Sequence, residues 1–170
     1  IFGIGAAMTS LVGMSIGARD ADRAEKIGWT GAGMSFVLGG VIGCLLAVFP
    51  HLWIPIFTDD PMVYETAKGF IQIVGPCLAL HGVGWALYFA SQGAGAMRGP
   101  VTALIARPVV AIGVAFFLLG TLNWGMTGIF IGAVSGMLVY TVIITASIQR
   151  GAWRRQIPAQ KTQAQSPSPS

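Results

Sequence analysis

The stretch that decides the fold runs from Gly69 to Met97 and reads GFIQIVGPCLALHGVGWALYFASQGAGAM. It contains 29 residues and no Asp, Glu, Lys or Arg. Because about 20 apolar residues in a helix suffice to cross a bilayer core, this stretch predicts a membrane-spanning helix. Polar residues interrupt it at Gln72, His81 and Gln92. Polar groups in hydrocarbon are costly unless they face a partner or a water-filled cavity, so the stretch indicates a translocation pathway.

The composition of the whole chain is that of a membrane protein. Of 170 residues, 54% are hydrophobic and only 9% are charged, and the mean hydropathy is +0.72. Soluble domains average about 25% charged residues, so an ordinary soluble fold is excluded. Cys44 and Cys77 both lie in apolar runs, without the spacing of a metal site or a disulfide framework. We expect an all-α polytopic protein with no metal, no cofactor and no nucleic-acid partner.

Apolar runs separated by polar turns predict a helical bundle of four full spans plus the end of a fifth. The predicted spans cover residues 1–18, 27–49, 69–97, 100–122 and 126–148, within a transmembrane unit over 1–155. The chain starts inside an apolar run, which we interpret as a helix already under way in an N-terminally incomplete sequence. Asp60 followed by Pro61 predicts a helix start. Residues 156–170 are rich in Pro, Gln and Ser and predict a disordered cytoplasmic tail.

The positive charges between the spans fall almost entirely on one side. If the helices alternate in direction, eight cationic residues share one side and only Lys68 lies on the other. Cytoplasmic loops carry an excess of Lys and Arg, so this side and the C-terminus are predicted to be cytoplasmic, in a plasma (inner) membrane. The eight residues are Arg19, Arg23, Lys26, Arg98, Arg150, Arg154, Arg155 and Lys161.

Two stretches resemble the MATE (multidrug and toxic compound extrusion) family of transporters, and the resemblance covers residues 1–155. The run LVGMSIGARDADRAEKIGW, residues 11–29, is similar to the signature loop of the family. There a Val-Gly-x-x-x-Gly-Ala element ends one helix and an Arg-Ala pair opens the next. Here these residues are Val12, Gly13, Gly17, Ala18, Arg23 and Ala24. The second match is Gly75-Pro76 followed by ALYFASQGAGAMRGP, which contains Gln92 and Gly93, with Arg107 in the next helix.

The resemblance implies twelve helices in two six-helix lobes, a central cavity for organic cations and coupling to a proton or sodium gradient. This chain would supply the end of the eighth helix and helices nine to twelve, and the N-terminal lobe would be its partner in a longer chain. Some members of the family carry an acidic residue in the tenth helix, and this sequence has none there. Because a coupling ion needs an acidic group inside the membrane, we expect that group outside this sequence.

Four residues are candidates for lining a substrate cavity: Gln72, His81, Trp85 and Arg107. His81 either bonds a neighbouring helix or, with an ordinary pKa of about 6.5, serves a proton-linked role. Trp85 lies mid-span, where its ring either packs or holds a flat cation. Arg107 lies about 10 Å along its helix at about 1.5 Å per residue. Its side chain therefore either snorkels to the interface or faces a cavity.

Two prolines and two glycines have structural interpretations of their own. Pro76 and Pro108 are candidate hinges, or they are kinks that the membrane tolerates. Gly13 and Gly17 lie four residues apart, a spacing that lets another helix approach closely. The side chains of Ser91 and Gln92 are expected to cap the polar end of their helix.

The predicted function is a secondary active antiporter that exports drugs or organic cations in exchange for protons or sodium ions. The spans contain no paired carboxylates, Asp-rich metal motif or Ser/His/Asp set, so we do not expect an enzyme. One alternative is a lipid-intermediate flippase, which would need a broader basic cavity than Arg107 alone provides. Another is a small structural membrane protein whose glycine-rich faces form oligomer contacts.

Overall fold

A computed structural model of the chain describes residues 2–122 and 124–156. The regular elements in these ranges are all helical, and no strand occurs among them. They are α1 (Phe2–Gly17), α2 (Ala21–Val48), α3 (Pro50–Trp53), α4 (Pro61–Val74), α5 (Leu78–Gly93), α6 (Arg98–Leu122) and α7 (Gly125–Gln149), with 3-10 turns at Ile54–Ile56 and Arg154–Gln156. Apart from residue 156, the predicted disordered tail lies outside the described residues.

Within the described ranges, three helices are long and apolar enough to cross a membrane. They are α2, the part of α6 over Arg98–Gly120, and α7. The pair α4 and α5 makes a fourth candidate span when counted as one, and α1 is a shorter apolar helix. Only 6% of the apolar window of α6 is buried, and Ile105, Val109 and Phe116 are exposed on it. Such a large exposed apolar surface is typical of a membrane-embedded helix, and the all-α membrane fold is confirmed.

The single helix predicted over 69–97 is two helices in the structure. α4 ends at Val74, α5 begins at Leu78, and the two meet at an angle of 62°. The break contains Pro76, which has no backbone N–H and whose ring clashes with the carbonyl four residues earlier in a continuous helix. Gly75 lies beside it, against α2, where an added Cβ would come within 2.6 Å of the Gly43 carbonyl oxygen. The bend therefore lies at a close backbone contact with α2.

α4 begins at the cap that its sequence predicts. The Asp60 carboxylate accepts the backbone N–H of Met62 at 2.8 Å and that of Val63 at 3.4 Å. Pro61 occupies the first turn, where a missing N–H costs nothing because the first turn has free N–H groups in any case.

Glycines bring the helices close enough for backbone contact. An added Cβ on Gly82 of α5 would lie 2.6 Å from the Ser35 carbonyl oxygen of α2. In the same way, Gly132 of α7 lies against the Ala111 carbonyl of α6, again at 2.6 Å from an added Cβ. Small residues at helix contacts are the usual basis of association inside membranes, so these positions define the α2–α5 and α6–α7 packing.

Two of the family-motif glycines, Gly13 and Gly93, touch each other. A Cβ on Gly13 of α1 would lie 3.2 Å from the Gly93 carbonyl oxygen at the end of α5. One turn away along α1, the Thr9 hydroxyl donates to the Phe89 carbonyl oxygen at 3.0 Å. The other motif residues lie elsewhere: a Cβ on Gly17 would meet nothing within 4 Å, and Arg23 and Gln92 are exposed.

The segment after α7 closes one end of the bundle. Trp153 is only 1% exposed, and its indole N–H donates to the Ser91 hydroxyl of α5 at 3.2 Å. Its ring fills the space beside Gly28 of α2, where an added Cβ would come within 2.5 Å. We had predicted that Ser91 caps α5; its hydroxyl instead accepts from Trp153. The end of α5 is closed by backbone bonds instead, including that from Ala96 N–H to the Ser91 carbonyl at 3.0 Å.

An ionic contact lies beside Trp153. The Arg154 guanidinium donates to the Glu25 carboxylate at 2.9 Å and to the Asp22 carboxylate at 2.7 Å. The hydrogen bond and charge of Glu25, followed by the charge of Asp22, raise the pKa of the Arg154 guanidinium above its ordinary value. Residues 17–28, 91–99 and 149–156 thus lie together, and we call this end of the bundle the basic end.

Candidate functional site

Polar side chains of α5, α6 and α7 meet where these three helices pack. The Trp85 indole N–H donates to Nε2 of His81 at 2.8 Å. The His81 ring centroid lies 6.0 Å from that of Tyr140 on α7, and Cζ of Arg107 on α6 lies 6.0 Å from the centre of the same Tyr140 ring. We call His81, Trp85, Arg107 and Tyr140 the seam cluster.

Arg107 and Tyr140 of the seam cluster lie about a third of the way along their helices from the basic end. Arg107 is nine residues from the start of α6, and Tyr140 is nine residues from the end of α7. At about 1.5 Å per residue, both lie about 13 Å from the basic end. A bilayer core is about 30 Å thick, so the cluster lies near its middle if the helices cross it.

Glycines on α5 and α7 make room for the cluster. An added Cβ on Gly84 would lie 2.8 Å from the Tyr140 ring, and Tyr140 itself is only 1% exposed. An added Cβ on Gly136 would lie 2.8 Å from the Arg107 carbonyl oxygen and 3.5 Å from its Cγ. The backbone of α5 thus approaches the tyrosine ring, and α6 approaches α7 at the arginine.

Two donors of the cluster have no acceptor among the described residues. Because Nε2 of His81 accepts from Trp85, the proton of the neutral imidazole lies on Nδ1. That nitrogen is buried and has no hydrogen-bond partner in the described part of the chain. The Arg107 guanidinium makes no salt bridge there either, since the ion pairs in residues 2–122 and 124–156 involve Lys68 and Arg154.

Aromatic rings extend the cluster towards the basic end. The Trp85 ring centroid lies 5.8 Å from that of Tyr88 and 5.9 Å from that of Phe89, both on α5. These separations are those of edge-to-face and tilted ring contacts. The seam therefore combines an aromatic surface with hydrogen-bond donors and a fixed positive charge.

The structure brings together three of the four predicted cavity residues. His81, Trp85 and Arg107 share the seam cluster, and Arg107 is half-buried with its guanidinium over the Tyr140 ring. Gln72 does not join them: it is exposed on α4, on the far side of the 62° bend.

The two candidate hinges differ in their surroundings. Pro76 lies in the break between α4 and α5, whereas α6 continues through Pro108. Both prolines are exposed. Their role as hinges stays a prediction.

Tyr140 was not predicted, although the sequence contains a signal for it. It follows Gly128, Gly132 and Gly136 at the same spacing of four residues, so it continues the packing face of α7. A tyrosine on a face that otherwise carries glycine marks a point where the neighbouring helix must supply the space, and Gly84 supplies it here.

Two surface cavities lie away from the seam cluster. One, of about 520 Å³, is at the basic end and is lined by Asp22, Glu25, Lys26, Trp29 and Thr30. The other is an apolar groove of about 380 Å³ between α1 and α2, lined by Ile4, Ala7, Met8, Leu11, Lys26, Ile27, Thr30, Gly31 and Met34. None of the predicted cavity residues lines either of them.

Comparison with known families gives one decisive match. The family model MatE matches residues 1–117, which is more than half of the chain. The chain belongs to the MatE family. The matched range contains three residues of the seam cluster, and Tyr140 lies beyond it. For this MatE chain, the predicted family is therefore confirmed.

Relatives of this MatE chain are found in bacteria and plants. A probable multidrug resistance protein NorM of Thermotoga maritima is 24% identical over 156 residues, which cover 91% of this chain and 34% of that protein. Protein DETOXIFICATION 36 of Arabidopsis thaliana is 25% identical over 166 residues, with 91% and 31% covered. The chain therefore spans about a third of the length of these relatives.

A solved structure shows the same fold. The crystal structure of the eukaryotic MATE transporter AtDTX14 superposes with a TM-score of 0.73 at 20% sequence identity. The match covers 91% of this MatE chain and 35% of the transporter chain. The arrangement of the helices is thus that of part of a MATE transporter.

Proposed function

We propose that this chain forms part of a secondary antiporter that exports drug-like compounds or organic cations in exchange for protons or sodium ions. Membership of the MatE family and the names of its relatives, which include multidrug resistance proteins, support this proposal. The chain acts as a carrier and not as an enzyme, and the rest of a longer polypeptide supplies the second lobe. Alternating access then arises from movement of one lobe against the other.

The seam cluster is the observation that carries the proposal. Ionisable and polar groups inside membrane helices are rare, and they usually mark the path of a substrate or ion. Here a histidine, an arginine and two polar aromatic residues of three apolar helices meet. The rings of Trp85, Tyr88 and Phe89 offer a flat drug a surface on which to stack.

The basic end faces the cytoplasm in this proposal, and the membrane is a plasma (inner) membrane. Support comes from the excess of Lys and Arg after α1, at the starts of α2 and α6 and after α7, since cytoplasmic loops are rich in these residues. The C-terminus lies on the same side because α7 ends there.

The coupling group is either His81 or an acid outside this sequence. The acidic residues of the chain lie between the long helices or near their ends, away from the seam cluster. They are Asp20, Asp22, Glu25, Asp59, Asp60 and Glu65. His81 is the titratable imidazole nearest the middle of the bundle, and protonation would end its bond from Trp85 because Nε2 would become a donor.

Efflux of a fluorescent aromatic cation from drug-sensitive cells tests the proposed function. The complete protein that contains this sequence is expressed as the parent and as Trp85→Ala, with Trp124→Ala as the matched control. Trp124 is exposed at the opposite end of the bundle, where α7 begins. A stacking contact between aromatic rings is worth about 0.5–1.5 kcal/mol, so Trp85→Ala should slow efflux about 2–13-fold at equal protein level.

The control variant separates substrate binding from a general loss of protein. Trp124→Ala should export the cation at the parent rate. Efflux by Trp85→Ala at the rate of Trp124→Ala would contradict the assignment of the seam cluster, and no efflux by the parent would contradict the export function itself.

A further inference from the structure

Arg107 presents a charge without a counter-charge in the seam. Its guanidinium is always ionised in proteins, and its described contact is the face of Tyr140, 6.0 Å from Cζ. No described carboxylate forms a salt bridge with it, because the ion pairs in the described ranges are made by Lys68 and Arg154. A charge in a membrane interior is costly unless it is paired or faces water, so this arginine is available to an anion.

His81 adds a second unused donor beside the first. Its Nε2 is occupied by the indole N–H of Trp85 at 2.8 Å, which leaves the proton on Nδ1. That atom is buried and lacks a partner in the described part of the chain. Buried donors in native structures nearly always make a hydrogen bond, and a buried donor without a partner is destabilising.

We propose that the seam cluster binds the negatively charged group of an aromatic substrate, such as a carboxylate or a phenolate. Arg107 supplies the counter-charge, Nδ1–H of His81 donates a hydrogen bond, and the Trp85 ring contacts the flat part of the molecule. This inference deepens the proposed export function. Transport of such a substrate rests on that function, whereas its binding is measured separately. A zwitterionic drug fits the assignment, with its cationic group held outside the seam.

The same two unused groups have one other explanation. A carboxylate from a part of the longer polypeptide that lies outside this sequence would neutralise Arg107 in every state. In that case the charge of a substrate would not matter at the seam. The two explanations differ in what happens when the charge of Arg107 is removed.

Equilibrium binding to the purified complete protein distinguishes them. The probes are a fluorescent aromatic carboxylate and its methyl ester, which share one ring system and differ in charge. The variants are Arg107→Gln, Arg107→Lys and His81→Ala. Arg98→Gln is the matched control, because Arg98 is an exposed arginine at the start of the same helix.

The expected result is a loss specific to the carboxylate. The parent binds the acid more tightly than the ester, and Arg107→Gln weakens binding of the acid about tenfold or more, as for the loss of a hydrogen bond to a charged group. Binding of the ester stays within about twofold, because the ester makes no ionic contact for the variant to remove. Arg107→Lys retains most of the affinity, His81→Ala loses part of it, and Arg98→Gln equals the parent.

Three results would overturn the inference. The parent binds acid and ester equally, it binds neither, or Arg107→Gln leaves affinity for the acid unchanged. The last result would indicate an internal carboxylate partner for Arg107. If the export function is wrong but this inference is right, the parent protein binds the acid more tightly than the ester and shows no efflux.

Discussion

Replacement of Gly82 by alanine should separate α2 from α5. A methyl group at this position would meet the Ser35 carbonyl oxygen at 2.6 Å, whereas ordinary contacts begin at 3.4 Å. The two helices must therefore move apart by about 0.8 Å, the difference between these distances, because a backbone carbonyl cannot rotate out of the way. Overpacking of this kind costs about 1–3 kcal/mol. His81 precedes Gly82 on α5, so the displacement also reaches the seam cluster.

Thermal unfolding of the purified protein in detergent measures this effect. A loss of about 2 kcal/mol should lower the Tm by at most about 4–8 °C, the shift expected of a protein of 150–250 residues, because a longer polypeptide unfolds with a larger entropy. Gly33→Ala is the matched control: it lies on the same helix as Ser35, and an added Cβ there meets nothing within 4 Å. Alanine in a helix interior is favoured over glycine by about 0.5–1 kcal/mol, so the control should unfold at the parent Tm or slightly above it.

The comparison between the two variants decides the matter. If Gly82→Ala and Gly33→Ala unfold at the same temperature, α2 and α5 do not pack through Gly82, and the α2–α5 contact described above is wrong. If Gly82→Ala has a lower Tm but binds substrate as the parent does, the packing of α2 on α5 is correct and does not affect the seam cluster.

Three further perturbations follow from other contacts. His81→Ala should change the pH dependence of efflux, as measured in vesicles at fixed external pH, because the variant removes the imidazole of the seam cluster. Asp60→Ala should cost about 1 kcal/mol of stability, because the cap of α4 loses two N–H bonds. Trp153→Ala should lower the free energy of unfolding by about 3–5 kcal/mol, because it removes a large side chain that is only 1% exposed. Trp153→Phe should lower it by only about 1 kcal/mol, because that variant keeps a ring and loses the hydrogen bond to Ser91.

Each of these predictions has its own control. An unshifted pH profile in His81→Ala would assign the histidine to packing alone. Asp59→Ala changes a neighbouring exposed carboxylate that does not cap α4, and it should unfold like the parent. Equal stability of the alanine and phenylalanine variants at Trp153 would mean that the ring does not fill the space beside Gly28.

Features that depend on local sequence were predictable. Long apolar runs indicated α2, α6 and α7, because a membrane helix satisfies all its backbone groups within one segment. The Asp60–Pro61 pair indicated the start of α4, since both residues act through contacts within one turn. His81, Trp85 and Arg107 were recognisable because polar groups are conspicuous in an apolar helix.

Features that depend on contacts between distant segments were not predictable. Pro76 indicated a kink, but its 62° angle also reflects the approach of Gly75 to Gly43, 32 positions earlier. The burial of Trp153 requires Ser91 and a glycine on α2 to meet at one point. No local pattern carries that information.

Photoaffinity labelling tests the central claim, that a substrate binds in the seam between α5, α6 and α7. A photoreactive aromatic drug analogue is cross-linked to the complete protein in membranes, and the labelled peptides are mapped by mass spectrometry. We expect label on peptides that contain His81, Arg107 or Tyr140, and excess unlabelled drug should suppress it. Specific label confined to α1 and α2, where the apolar groove lies, would contradict substrate binding in the seam.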